Sequence, residues 1–146
     1  MRLASIIRFF IIGVLLISVI GMDGCSCNPP VIEWIKVFSD INGTGNFQEV
    51  LPDPTTSAYI INGNNAFQLR IKTREALTSS DLNNSSIQIG SSPPYTISAF
   101  TGEENTYYHE FQANSFPEGT YTATIIIFLN DNPSIQSITL QIKNTG

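Results

Sequence analysis

The strongest constraint on what this chain can fold into lies near its end. Gly119–Leu129 and Ser134–Lys143 are two long β-patterned runs, separated only by Asn130-Asp131-Asn132-Pro133. Two such runs with so short a connection read as an antiparallel hairpin. With Leu129 facing Ser134, Ile125 faces Ile138, Ala123 faces Leu140 and Tyr121 faces Ile142. All of these lie on one side of the ribbon, so that side must rest on a core.

The rest of the chain repeats the theme in shorter pieces. Ala66–Thr73 alternates, with Phe67, Leu69 and Ile71 to one side and Gln68, Arg70 and Lys72 to the other. Such alternation marks a sheet with one face on a core and one in water. Val31–Phe38, Tyr59–Ile61, Ser86–Ile89, Tyr95–Phe100 and Thr106–Ala113 are further expected strands. The segment 39–57, with Asn42-Gly43-Thr44-Gly45-Asn46 and Pro52-Asp53-Pro54, reads as loop or edge. Turn residues recur roughly every 8–12 positions, and no stretch keeps helical apolar spacing over three turns. The expected fold is an all-β sandwich of about seven strands over residues 31–144. A single domain of this length buries about 65% of its unfolded surface, enough for a core.

The beginning of the chain has another character. Arg2 and Arg8 lead into the apolar run Phe9–Ile20, followed by Met22-Asp23-Gly24-Cys25-Ser26-Cys27. A positive region, a short apolar region and small residues are the layout of an export signal, expected here as a helix within residues 1–24. The run is shorter than the roughly 20 residues a membrane-spanning helix needs. Met22-Asp23-Gly24-Cys25 resembles the lipobox of bacterial lipoproteins, although Asp23 departs from its small-residue position. The resemblance implies cleavage after Gly24, a lipid on Cys25, a tether over residues 25–30 and a protein held at the cell envelope. Cleavage after Ser26, giving a secreted protein, is the alternative.

The two cysteines of the chain are both at this junction. The sandwich is therefore expected to fold without an internal disulfide, and a bridge between Cys25 and Cys27 would close only a tiny strained loop. Removing Arg2, Arg8 and Asp23 from seven basic and twelve acidic residues leaves five against eleven. That balance argues against nucleic acid, whose phosphates call for clustered Lys and Arg.

Phe116-Pro117-Glu118-Gly119-Thr120-Tyr121-Thr122-Ala123 resembles the start of strand F in immunoglobulin-like domains. The stretch from Ser98 to Tyr108 and on through Ile125 is similar to bacterial Ig-like repeats of surface proteins. The resemblance implies an immunoglobulin-like sandwich, with Ala123 and Leu69 standing where the inter-sheet cysteines would be. It makes Tyr121 the corner tyrosine, whose hydroxyl bonds back to nearby backbone. Trp34, on the first strand, lies off the position typical of antibody domains. Modules of this kind serve adhesion, spacing or presentation, so binding or display is the implied role.

No constellation for catalysis is present in the sequence, and the expectation is a non-enzymatic protein without cofactor or metal. His109 falls on the face of Phe111 and Ala113 and reads as a core or rim residue. Asn130-Asp131-Asn132 carries oxygen ligands, but calcium takes 6–8 of them, and a turn explains the same residues. Matches to the glycosylation pattern at Asn42, Asn83 and Asn84 are silent in a bacterial protein. Arg70 and Lys72 read as a solvated face near Glu110.

One group exceeds these bland readings. The expected register sends Ile126, Phe128 and Ile135 to the outer face of the hairpin sheet, with Phe128 opposite Ile135. Three adjacent apolar side chains there can mark a partner surface. Cover by the 39–57 loop is the alternative. The expected function is binding, adhesion or structural presentation at the envelope, through a protein or glycan partner. A carbohydrate-binding module and a subunit of a larger envelope assembly are the two rivals.

Overall fold

The computed structural model describes residues 31–145. The expected signal helix, cleavage site, tether and Cys25 lie outside the described residues. Two five-stranded sheets pack face to face as a β-sandwich. The strands are β1 (Ile32–Ser39), β2 (Gln48–Val50), β3 (Tyr59–Asn62), β4 (Phe67–Thr73), β5 (Ser86–Ile89), β6 (Tyr95–Thr96), β7 (Ser98–Ala99), β8 (Thr106–Phe111), β9 (Gly119–Leu129) and β10 (Asn132–Lys143). One short helix, α1 (Ser79–Asn84), sits between β4 and β5. The first sheet runs β2-β1-β4-β8-β7 and the second β3-β10-β9-β5-β6. All pairings are antiparallel except β3 with β10. β3 is the short strand expected at Tyr59–Ile61, β2 arises in the segment read as loop or edge, and the single strand expected over Tyr95–Phe100 appears as β6 and β7.

The facing read from β4 is observed, except that Gln68, expected in water, is buried on the outer face. Phe67, Leu69 and Ile71 are buried, whereas Arg70 and Lys72 lie on the outer face. From the second sheet Ile87, Ala123, Ile125, Ile127, Leu140 and Ile142 point back at them to form the core. Each large apolar side chain taken from water this way contributes about 1.5–3 kcal/mol before entropy is counted. Leu69 and Ala123 are both fully buried, one in each sheet, so packing fills the space between the sheets there. Aromatic rings close one end, with Phe67 stacked on Phe111 at 4.7 Å, Phe116 tilted against both and Tyr95 edge-on to Phe111. The Tyr121 hydroxyl donates to the Pro117 carbonyl at 2.9 Å, the corner bond expected of it.

Three local outcomes differ from the sequence expectation. The hairpin closes with Leu129 opposite Asn132, two residues out of the expected register. Asn130 and Asp131 both take positive φ, 53° and 63°, which makes a two-residue turn in place of four. That backbone matches the right-handed twist of the strands, and Asn and Asp tolerate it better than other non-glycine residues. A shift of two leaves the facing unchanged, so the core set survives. Tyr95–Phe100 is not one strand: it breaks at the buried Ile97, β6 joining the second sheet and β7 the first. Finally, Thr78 and Asp81 form a capping box that starts α1, a helix too short to show as apolar periodicity.

Candidate functional site

The described residues put their clustered chemistry on the outer faces of the two sheets. Ile126, Phe128 and Ile135 do share the outer face of the second sheet. The observed turn changes which of them meet: Ile135 faces Ile126, and Phe128 faces Pro133. Ile126 and Phe128 are half-buried, while Ile135 is 62% exposed. The 39–57 segment does not cover them, because its strand β2 joins β1 in the opposite sheet. Its Gly43-Thr44-Gly45 turn is held instead by the Asp40 carboxylate, which accepts the N–H groups of Thr44 and Gly45 at 3.0 and 2.8 Å.

The apolar corner is braced from below by α1. Ser85, at the end of the helix, accepts the Phe128 N–H at 2.9 Å and donates to the Asp81 carbonyl at 2.7 Å. The Asp81 carboxylate receives the Thr78 hydroxyl at 2.7 Å and the Thr78 N–H at 3.1 Å. The Thr78 hydroxyl holds this carboxyl below its ordinary value, with the backbone N–H groups of Asp131 and Asn130 assisting. Helix cap and hairpin turn thus form one polar knot around the Asp81 carboxylate.

The outer face of the first sheet carries an array that the sequence reading missed. Arg70 lies between two rings, its guanidinium carbon 3.8 Å from the centre of Phe38 and 4.1 Å from that of Phe100. Strand pairing makes this possible, because Lys36 sits opposite Arg70 and Tyr108 sits opposite it on the other side. Tyr108 meets Phe100 edge to face at 5.5 Å, and the Lys36 ammonium stands 5.2 Å from the Trp34 ring. The Arg70 Nε–H donates to Gln68 at 2.9 Å, and the Gln68 amide donates to Glu110 at 2.8 Å. Burial between the rings lowers the Arg70 pKa from its ordinary value, opposed by Glu103 and Tyr108.

The expectation that Arg70 and Lys72 form a solvated face near Glu110 holds only in part. Glu110 bonds Gln68, while the ion pair of Lys72 is with Glu103 at 3.4 Å. Among the described residues no carboxylate lies within ion-pairing distance of Arg70. The available signal was the outward set Trp34, Lys36 and Phe38 on β1, which alternation reveals once the strand's inner face is known. Phe100 had no such signal, since it comes from the segment that changes sheets.

The remaining candidates are structural. His109 sits at the rim, its Nδ1 2.6 Å from the Thr96 carbonyl and its ring 4.7 Å from that of Phe111. Tyr107 is buried and its hydroxyl accepts the Leu77 N–H at 2.7 Å. Tyr95 packs on Phe111, so Tyr95, Tyr107 and Tyr108 do not form one surface. Compared with known protein families, with curated proteins and with solved structures, the chain shows no match to any of them.

Proposed function

We propose that this is an exported envelope lipoprotein, anchored by a lipid on Cys25, whose sandwich is a non-enzymatic binding and presentation module. The observation that carries the reading of the domain is the Phe38–Arg70–Phe100 stack on an open sheet face. A positive group held between rings, without an ion-pair partner among the described residues, suits recognition of an external group better than chemistry in a cleft. The strand order β1-β4-β8-β7 against β10-β9-β5 supports an immunoglobulin-like reading, as does the Tyr121 corner bond. Fold alone does not choose a ligand.

The anchor rests on the sequence: positive residues, a short apolar run, then Gly24-Cys25. Mass spectrometry of the mature N-terminal peptide from a bacterial host tests it. A diacylglyceryl group on Cys25 is the expected result; an unmodified start at Cys27 would replace the envelope reading with a secreted one.

A second reading, a carbohydrate-binding face, is favoured by Trp34, Phe38, Phe100 and Tyr108 lying along one side of the first sheet. Retention on polysaccharide columns that is lost in Phe100→Ala, with the fold intact by circular dichroism, would support it. No retention on neutral or acidic polysaccharides would sink it.

A further inference from the structure

The second sheet leaves a long stretch of one strand edge uncovered. β3 pairs with β10 only over Leu140–Lys143, so Asn132–Thr139 has β9 on one side and, among the described residues, no strand on the other. No loop of the described chain bonds to the backbone of this stretch either. The two-residue turn determines which groups point outward. Leu129 and Asn132 close the hairpin as a bonded pair, so the N–H and C=O groups of Ile135, Ser137 and Thr139 face the open side, with the C=O of Pro133. The Gly63 N–H bond to the Lys143 carbonyl, on the same side of the strand, agrees with this phase.

Natural edges are usually blunted by charge. The comparable open stretch of β1 carries Glu33 and Lys36, whereas Asn132–Gln141 contains no charged residue and only Pro133, at its turn end, to interrupt the edge. Gln136 and Ile135 point to opposite faces and both are exposed, so this half of β10 is open on both sides as well as at its edge.

We propose that this edge pairs with the same edge of a second copy, antiparallel across a two-fold axis, joining two second sheets into one. The register follows from the outward groups and from where β3 stops. Ile135 and Ser137 exchange both bonds with Ser137 and Ile135 of the second copy, and Thr139 donates to the Pro133 carbonyl. This is the register that fills the open stretch of both copies without displacing β3. It sets Gln136 opposite itself on the axis. An antiparallel arrangement also turns the Asp131 end of each copy toward the Lys143 end of the other, whereas a parallel one would set like ends together. Pairing brings the Ile126–Ile135 corners of both copies onto one continuous face, with the exposed Ile135 opposite Ser137 and diagonal to Ile135 of the second copy. A closed two-fold contact leaves no free copy of the same edge, so assembly stops at the dimer.

The test uses the full chain with Gln136→Cys. Opposed residues of a non-bonded antiparallel pair have Cα atoms about 4.5 Å apart, within the range of a disulfide. Mild oxidation should give a 136–136 linked peptide, mapped by mass spectrometry, and Thr139→Cys should give none. Adding Ile135→Lys, which sets like charges across the axis, should cut the yield at least tenfold. Gln136→Lys, read by concentration-dependent sedimentation, provides a second variant at an exposed position. A chain that sediments as a monomer and forms no 136–136 link overturns the proposal. So does a link that survives Ile135→Lys, or protection of the Ile135 and Ser137 amides by a different protein's strand. None of these outcomes touches the mass of the N-terminal peptide, so failure here is separable from failure of the lipoprotein reading.

Discussion

The Ser85 hydroxyl accepts the Phe128 N–H at 2.9 Å, and that single bond ties the end of α1 to the last turn of the β9 strand. Ser85 is buried, away from bulk solvent. Ser85→Ala leaves the Phe128 N–H without its acceptor and should destabilise the fold by about 1–3 kcal/mol. Urea unfolding followed by circular dichroism reads the loss, with an unchanged m-value.

Asp81 makes stability depend on acid. Its folded pKa lies below the ordinary carboxylate value of 3.8, because Thr78 and then the turn N–H groups favour the charged form. Asp53 is lowered in the same direction by the N–H groups of Thr56 and Thr55. A lowered folded pKa means that the unfolded chain binds the proton first. The contribution is therefore complete above pH 3.8 and is lost as pH falls through the folded value. Asp81→Asn should flatten the acid limb of a stability–pH curve while the parent stays steeper below pH 4. Equal slopes would show that the knot carries no charge-dependent stability.

At Asp131, φ is +63°, a conformation that penalises a branched side chain. Asp131→Val should cost about 1–2 kcal/mol, whereas Asp131→Gly should retain full stability, since glycine suits the second position of this turn. Thermal melting of the two variants side by side separates backbone strain from loss of the carboxylate, which both remove.

Tyr121→Phe deletes the corner bond to Pro117 but keeps the ring against Phe116 at 5.7 Å. The expected cost is about 0.5–1.5 kcal/mol, the net value of one hydrogen bond. A much larger loss would mean that the hydroxyl also sets the β8–β9 connection, visible as changed amide exchange at Phe116–Thr120.

The Arg70 stack is testable by a double-mutant cycle. Arg70→Lys and Phe100→Ala should couple by about 0.5–1 kcal/mol, because the flat guanidinium and the ring lose each other in either variant. Additive losses would show that Phe100 only covers the sheet.

Much of this architecture was legible in advance, for a physical reason. Alternation with a period of two is imposed by the backbone of each strand, so Phe67, Leu69 and Ile71 announced the core before any partner was known. The same holds for Ala123, Ile125, Leu140 and Ile142, whose facing survived even an error of two residues in register. The hairpin register itself was missed because Asn130 and Asp131 can serve equally in a four-residue loop, and only positive φ at both selects the short turn. The partner-surface residues were placed on the right face of the strand, but their neighbours were not.

By itself the sequence determined the all-β class, the places of the main strands and which side of each is apolar. Those are local properties, written in spacing and in backbone preference. Only the tertiary structure decided that Tyr95–Phe100 divides between two sheets at Ile97, that Phe38 and Phe100 close on Arg70, and that β3 stops at Leu140 and leaves an open edge. Each depends on which strands lie side by side, and that choice is made by the packing of the whole core across long separations in sequence, where no local pattern records it.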